Sequence, residues 1–498
     1  MSWAAEELKG VDLGDKRRNQ RLITIVEDLS AQPNESVTQA SRDAAAVQGV
    51  YEFWANPRIK AEAIISSHAK STVERIKEHR TILAIQDTTE LDFSDHKSKR
   101  GMGPLSNPEA KGLKVHTVLA ASTEGVPLGV LHQKVWSREK TRSNASKQKR
   151  QAIENKESIR WLEGLDLTQG LMPALTTVIT VADREADIWD LQKIKCPALS
   201  NIFRLNPRTG GRCAPRRNAR AGHFIIWKCL YQLFALARQR NSEFLIRAAQ
   251  NRNTKSNAFC DEVVPLFEAI RTTPVLGKLT LELQRTPRRA ARSATLSVRV
   301  TKLWLQPPAS LQSQSTQAIE VHVIEACEEN PPEGEKAISW LLLTTIEVKN
   351  FELACQCLEW YSYRWLIERY HYCLKSGCRI EQLQLEDGER IKRALATYAI
   401  VAWRLLWLTY EARRNPERTV EGILETHEWQ ALYCKIHKTN KPPSEAPSLG
   451  ECVRWIARLG GFLGRKSDGD PGIQTLWRGF QRLNDIAGIW QLLYQGDF

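Results

Sequence analysis

No stretch of this chain approaches the roughly 18 uncharged apolar residues that a membrane-spanning helix needs, so nothing in it reads as crossing a bilayer. The first residues, Met1-Ser-Trp-Ala-Ala-Glu-Glu-Leu-Lys9, lack the apolar core of a secretory leader. Cysteine is present 11 times but never in a paired C-x-x-C spacing, which argues against a zinc site. Cys355 and Cys357, and Cys373 and Cys378, fall on helix-like stretches where buried free thiols are the expected state. An odd cysteine count without a leader suits a reducing cytoplasm. Acidic residues are in deficit, 57 Asp+Glu against 71 Lys+Arg, for a net charge of +14. Such a balance favours a polyanionic partner through counterion release, without choosing among DNA, RNA and mere solubility.

With 498 residues and 42% apolar content, the chain can fill several cores. Most of the 16 tryptophans are expected in those cores, and some to stack on bases. The most informative run is Tyr361-Ser-Tyr-Arg-Trp-Leu-Ile-Glu-Arg-Tyr-His-Tyr-Cys-Leu-Lys375. At about 100° per residue, its spacing predicts Tyr361, Arg364, Glu368 and Lys375 within roughly 60° of one helix face. Taken alone, that stripe is equally a solvated face laced with i,i+4 pairs. Two aspartates upstream tip the balance. Asp87 ends the apolar run Ile82-Leu-Ala-Ile-Gln86, and Asp183 ends Val178-Ile-Thr-Val-Ala182. Such runs read as buried strands, and a carboxylate past one emerges where sheet enzymes build their sites. Two strand-end aspartates and a helix glutamate make an all-oxygen ligand set suited to Mg²⁺ or Mn²⁺, and a pair of such ions serves phosphoryl transfer.

These residues resemble the bacterial cut-and-paste DDE transposases of the Tyr–Arg–Glu–Lys signature branch, the transposon-five type of the insertion-sequence-four family. The likeness runs beyond the helix. Asp12-Leu-Gly-Asp-Lys-Arg-Arg-Asn-Gln-Arg21 and Gly49-Val-Tyr-Glu-Phe-Trp-Ala-Asn-Pro57 resemble the family's end-binding domain. Gln86-Asp-Thr-Thr89, Leu131-His-Gln-Lys-Val-Trp136, Asp183-Arg-Glu-Ala-Asp187, Phe244-Leu-Ile-Arg247 and Trp340-Leu-Leu-Leu-Thr344 resemble its catalytic core. Ile456-Ala-Arg-Leu-Gly-Gly-Phe462 resembles its C-terminal region.

The resemblance implies an α/β (α+β) multidomain chain. A helical domain over 1–75 would bind transposon ends, with Lys16, Arg17, Arg18 and Arg21 on DNA. A ribonuclease-H-like catalytic domain would span 76–412, with an inserted β-subdomain at about 250–346, and a helical dimerisation region 413–498. Asp87, Asp183 and Glu368 would be the catalytic acids and the ligands of two Mg²⁺ (or Mn²⁺) ions. Tyr361, Arg364 and Lys375 would hold DNA phosphates. Trp340 would stack on a base flipped during hairpin formation, although a buried strand tryptophan is the simpler reading of its sequence. Arg184 and Arg247 match basic residues near the core. Partners would be double-stranded DNA, as terminal inverted repeats and target, and a second protomer in a synaptic complex. The implied location is the bacterial cytoplasm, on the nucleoid when DNA is bound.

Locally, Asp15 is placed to cap a helix that buries Leu22, Ile25 and Leu29, and a second helix through Ala44–Trp54 stops before Asn56-Pro57. Leu113–Ala121 and Pro127–Leu131 read as antiparallel strands about a Glu124-Gly125 turn, and a helix-like stretch covers Arg150–Leu162. Leu279–Leu283, Thr295–Thr301, Glu320–Ile324 and Trp340–Thr344 read as further strands, with Arg285, Arg288, Arg289 and Arg292 in a loop. One segment, about 190–231, departs from the family. It carries Arg204, Arg208, Arg212, Arg216, Arg217 and Arg220 without periodicity, and reads as an added DNA-contacting arm or as a tolerated or damaging insertion. Glu90, Asp92, Asp95, Glu185, Asp187 and Asp190 are expected to support the site or to lie on the surface. Two other functions share these features, a metal-dependent nuclease that joins nothing and a DNA-binding remnant or inhibitor.

Overall fold

Asp15 accepts the backbone N–H of Arg17 at 2.8 Å and supplies an acceptor that the first turn of a helix otherwise lacks. The helix Lys16–Ala31 follows, burying Leu22, Ile25 and Leu29 while Lys16, Arg17 and Arg21 stay exposed. The computed structural model describes residues 2–96, 98–107, 109–138, 159–183, 242–248, 250–283, 290–306, 318–465 and 468–494. The chain forms two compact units. One comprises Met1–His79, Asp87–Arg142 and Trp365–Phe498; the other comprises Arg80–Gln86 and Ser143–Arg364. The arginine-rich stretch 190–231, Arg184, Arg285, Arg288 and Arg289 lie outside the described residues, as do Glu185, Asp187 and Asp190.

In the first unit the hub is the helix Gly388–Arg414, buried along most of its length. It packs on the helix Ala61–Ile76 and on the strand Pro127–Trp136. That strand pairs antiparallel with Lys111–Ser122 across the expected turn, where Gly125 takes φ 83°, a left-handed value that favours glycine. Arg393 on the hub donates to the carbonyls of Trp54 (2.9 Å) and Ile59 (2.8 Å), fixing the end of the helix Ala44–Ala55. A buried polar knot ties in the first helix, Trp3–Glu7. His68 Nδ1 lies 2.6 Å from Glu7 Oε1, and Arg75 donates to Glu7 Oε2 at 2.6 Å and Oε1 at 3.1 Å. The Val130 N–H donates to His68 Nε2 at 2.9 Å, so the proton of the neutral ring sits on Nδ1 and points at Glu7. The C-terminal helices are Thr426–His437, Leu449–Leu459 and Ile473–Tyr494. Gly479 meets the backbone of Ile456, a position with no room for a side chain, and so brings the last two together.

The second unit is built on a mixed sheet. Thr81–Ile85 pairs in parallel with Thr177–Val181, and Val178–Ala182 in parallel with Ser242–Ile246. Beyond these the order turns antiparallel through Ser339–Thr344, Ile319–Glu328, Arg292–Leu305 and Val275–Leu283. This antiparallel half corresponds to the strands expected in 250–346. Arg292 is a strand residue, not a loop one. Its guanidinium is taken up by Glu328 (2.5 Å) and Glu335 (2.8 Å), so it offers no free charge to DNA. Of the helix expected at Arg150–Leu162, residues 150–158 lie outside the described residues; the described helix is Ile159–Leu171, carried past Leu162 by burial of Leu165 and Thr168.

Candidate active site

Asp87 is not at a strand end. Its strand runs Thr81–Asp92, and Asp87 marks the point where full burial gives way to half-burial. The strand continues because polar partners on the neighbouring strand replace apolar ones. Thr88 Oγ1 lies 2.9 Å from His116 Nδ1, and Glu90 is 3.0 Å from Lys114 Nζ. Glu90 also accepts from Ser106 N (3.1 Å) and Oγ (2.7 Å), which with Lys114 holds its carboxyl below the usual range despite burial. Asp92 caps its own turn by accepting from Ser94 N at 2.9 Å. Both carboxylates are thus engaged by neighbouring groups. Asp87 accepts the N–H of Thr88 at 2.8 Å. Asp183 follows the strand Thr177–Ala182 directly and is half-buried, as expected.

The signature run is not one helix. The helix Phe351–Ser362 carries Tyr361 and ends in a tight turn in which Arg364 N–H donates to Tyr361 O at 3.0 Å. A second helix, Trp365–Tyr372, carries Glu368, and a π-turn, Cys373–Gly377, carries Lys375. Tyr361 thus sits on one helix, Arg364 in the turn after it, and Glu368 and Lys375 on the next helix and the π-turn that continues it, so a uniform 100° step does not relate the four.

Around Tyr361 the second unit assembles several of the expected residues. Tyr361 is 4% exposed, and its ring meets Trp340 edge-on at 5.7 Å between centroids. Trp340 itself is only half-buried, so it is not the fully buried strand tryptophan of the simpler reading. Burial raises the Tyr361 phenol pKa. Arg364 and Arg247 oppose that rise, Asp183 adds to it, and Arg247 also hydrogen-bonds the phenol. Arg247 donates as well to Ser339 O at 2.7 Å. Tyr361, Arg247, Arg364, Asp183 and Trp340 therefore form one electrostatic and packing neighbourhood, with Tyr361 as its buried support.

Around Glu368 the first unit supplies a buried anchor that sequence reading did not single out. Tyr370 OH accepts from Gln133 Nε2 at 3.1 Å, and both side chains are buried. Burial pushes the Tyr370 phenol well above its usual range. Burial, with Lys375 nearby, also pushes His371 down to about 3, so this imidazole is neutral. Glu368 is half-exposed, and Lys375 stands 4.0 Å from Glu381. Trp365, just past Arg364, is 59% exposed, an unusual state for an indole that only the fold reveals. At the N-terminus, Arg18 donates to Leu13 O at 3.0 Å and Arg21 lies along Gly49, while Lys16 and Arg17 remain exposed on the helix.

Among the described residues, no three His, Cys, Asp or Glu side chains stand together as a ready-made metal cage. By type, the carboxylates of Asp87, Asp183 and Glu368 suit a hard divalent cation. Again among the described residues, no helix is long and apolar enough to cross a membrane.

Comparison with known families agrees with this layout. Residues 1–59 match the model described as transposase DNA-binding. Residues 229–404 match transposase DDE domain. Residues 400–489 match transposase Tn5 dimerisation domain. The DDE match contains Arg247, Trp340, Tyr361, Arg364, Glu368 and Lys375, whereas Asp87 and Asp183 precede it.

Proposed function

Because this chain is a DNA transposase of the Tn5 type, with DNA-binding, DDE and dimerisation domains in that order, we propose that it excises an element at its terminal inverted repeats and joins it to target DNA at one site built on Asp87, Asp183 and Glu368. It is a DNA-cleaving and strand-transferring enzyme. The observation that carries the finer reading is sheet register. Ile85 stands opposite Val181 on parallel strands, and Asp87 and Asp183 each lie two residues beyond a member of that pair. Bound there, Mg²⁺ or Mn²⁺ would activate the attacking oxygen and offset charge on the leaving one.

The remaining work falls to the protein's own groups. Arg364 and Arg247 offer planar forks for phosphate, and Lys375 a point charge. Lys16 and Arg17 on the exposed start of their helix suit backbone contact with end DNA. Water attacks at the end to free a 3′-hydroxyl; that hydroxyl attacks the opposite strand, closing a hairpin and releasing the flanking DNA; a second water reopens the hairpin, and the regenerated 3′-hydroxyl attacks target and releases a target 3′-hydroxyl. Each step is an in-line displacement in which nucleophile and leaving oxygen exchange roles. The hairpin step bends DNA sharply, and the half-buried Trp340 ring, backed by Tyr361, is the surface on which a flipped base stacks. Trp340→Ala removes a stacking contact worth about 1–3 kcal/mol, so the first nick is expected to persist while hairpin formation slows roughly 10- to 100-fold. A gel assay that resolves nicked, hairpin and released ends checks this.

The test of function uses a cloned genomic fragment that spans the coding sequence and its flanks, with purified protein, Mg²⁺ and a second plasmid. Release of the bracketed segment and its joining to the plasmid are expected. Cutting without joining would make the protein a nuclease, and retained binding without cutting would make it a remnant.

A further inference from the structure

The backbone that carries Lys375 is held in place by the dimerisation segment. Cys378 N–H donates to Cys373 O at 2.7 Å, an i to i+5 bond, which makes Cys373–Gly377 a single π-turn. Such turns are rare, frequently lie at functional sites, and persist where surrounding contacts favour them. Here the contact is with one indole. A Cβ at Gly377 would lie 2.8 Å from Cε3 of Trp477, closer than real Cβ contacts come, and a tight 3.0 Å from Cζ3. The ring of Tyr372, just before the turn, is 5.5 Å from the same indole, tilted by 45°. Trp477 is 3% exposed and belongs to the helix Ile473–Tyr494, inside the matched dimerisation segment. The indole therefore bears on both ends of the turn. On the other side, Glu381 lies 4.0 Å from the Lys375 ammonium and accepts the N–H of Asp92 at 2.8 Å, which ties the lysine to the strand of Asp87.

We propose that Trp477 is a positioning residue for Lys375, so that the helix used for dimerisation also sets, through Tyr372 and Gly377, the direction in which the Lys375 ammonium meets a DNA phosphate. This rests on the reading of Lys375 as a phosphate contact. The dimerisation segment is then part of the catalytic unit of its own chain, and damage to its core lowers catalysis even when two protomers still pair.

The test compares Gly377→Ala, Trp477→Phe and their combination in the full-length protein, each with Lys375 intact and as Lys375→Ala. Cleavage of the cloned genomic fragment is measured with its salt dependence, and sedimentation and thermal melting report assembly and folding. Gly377→Ala forces the turn off the indole, and a displacement near 1 Å can lower a rate by up to about 100-fold. A fall of about tenfold or more is expected, with assembly unchanged. Trp477→Phe removes the ring atoms that clash with the new methyl, so the double variant is expected to recover to within about threefold of wild type. Lys375→Ala is expected to reduce cleavage and to lower the slope of log affinity against log salt by about one. In its background Gly377→Ala then adds little. Full activity of folded Gly377→Ala, failure of Trp477→Phe to rescue it, or an equal loss in the Lys375→Ala background would each overturn the proposal. If Lys375→Ala itself left cleavage and salt slope unchanged, the reading of Lys375 would fall first, a result distinct from an active Gly377→Ala in a Lys375-dependent enzyme.

Discussion

Replacing any one of Asp87, Asp183 or Glu368 with alanine is expected to lower Mg²⁺-dependent cleavage of end DNA by roughly 10³-fold or more, while binding to the same DNA stays within about threefold. Lewis-acid stabilisation of phosphoryl transfer is worth several kcal/mol, and each 1.36 kcal/mol is about tenfold in rate. Binding survives because affinity comes mainly from cations on the phosphate backbone, and removing a carboxylate near DNA relieves repulsion. Glu90→Ala and Asp92→Ala serve as controls. Glu90 is committed to Ser106 and Lys114, and Asp92 to Ser94. Losses of about tenfold or less are expected for both. A gel-shift titration beside a cleavage time course checks the set. An Asp92→Ala enzyme as dead as Asp87→Ala would move the ligand along the strand.

Glu7→Ala is expected to destabilise the first unit by about 3–5 kcal/mol. The substitution leaves a buried imidazole N–H and a half-buried guanidinium without their carboxylate, and breaking a buried pair from one side typically has that effect. Arg75 would keep its bond to Leu128 O (2.7 Å) and its seat over Trp403 (4.3 Å), yet lose both contacts to Glu7. With total stabilities of about 5–15 kcal/mol, such a loss threatens the fold. Glu7→Gln, which keeps the volume and one acceptor, is expected to lose less.

The same knot sets the acid limb of stability. Burial outweighs Glu7 and holds the His68 pKa below its ordinary value. The unfolded chain therefore takes up a proton below about pH 6.5 that the folded chain refuses, and stability falls as the solution is acidified. Glu7 acts with the same sign at lower pH. Burial raises its carboxyl, but His68 and Arg75 together bring it below 4.5, so its contribution is lost as pH falls below that value. Urea unfolding of wild type, Glu7→Ala and Glu7→Gln across this range checks both statements. A Glu7→Ala loss under about 1 kcal/mol, or stability that rises on acidification, would contradict them.

Much of this architecture was legible in the residues. Asp15, Leu22, Ile25 and Leu29 fix the first long helix by local rules, a cap and a 3.6-residue apolar stripe. The Gly125 turn and its two strands were equally readable, because glycine at a left-handed position and period-two burial are both local signals. What failed was tertiary. Beyond Gln86 the strand continues on Thr88–His116 and Glu90–Lys114 contacts, which join residues far apart in sequence, so the apolar run seemed to stop at Asp87. The break at Tyr363-Arg364 carries neither proline nor glycine to announce it. Gly377 was the only local hint of a π-turn, and its reason, the Trp477 indole, lies a hundred residues further on. Gln133 was visible as part of a motif, but its bond to Tyr370 OH needed the fold. The three acids were singled out by residue type and by context, two on strand-like runs and one on a helix.

The central claim is that Asp87, Asp183 and Glu368 hold divalent cations together at the DNA end. Manganese binding to the protein–DNA complex, followed by electron paramagnetic resonance, tests it most directly. Tight Mn²⁺ uptake is expected with wild-type protein, reduced by Asp87→Ala, by Asp183→Ala and by Glu368→Ala, and lost in the triple variant. A triple variant that takes up Mn²⁺ as wild type does would show that these three carboxylates are not the site.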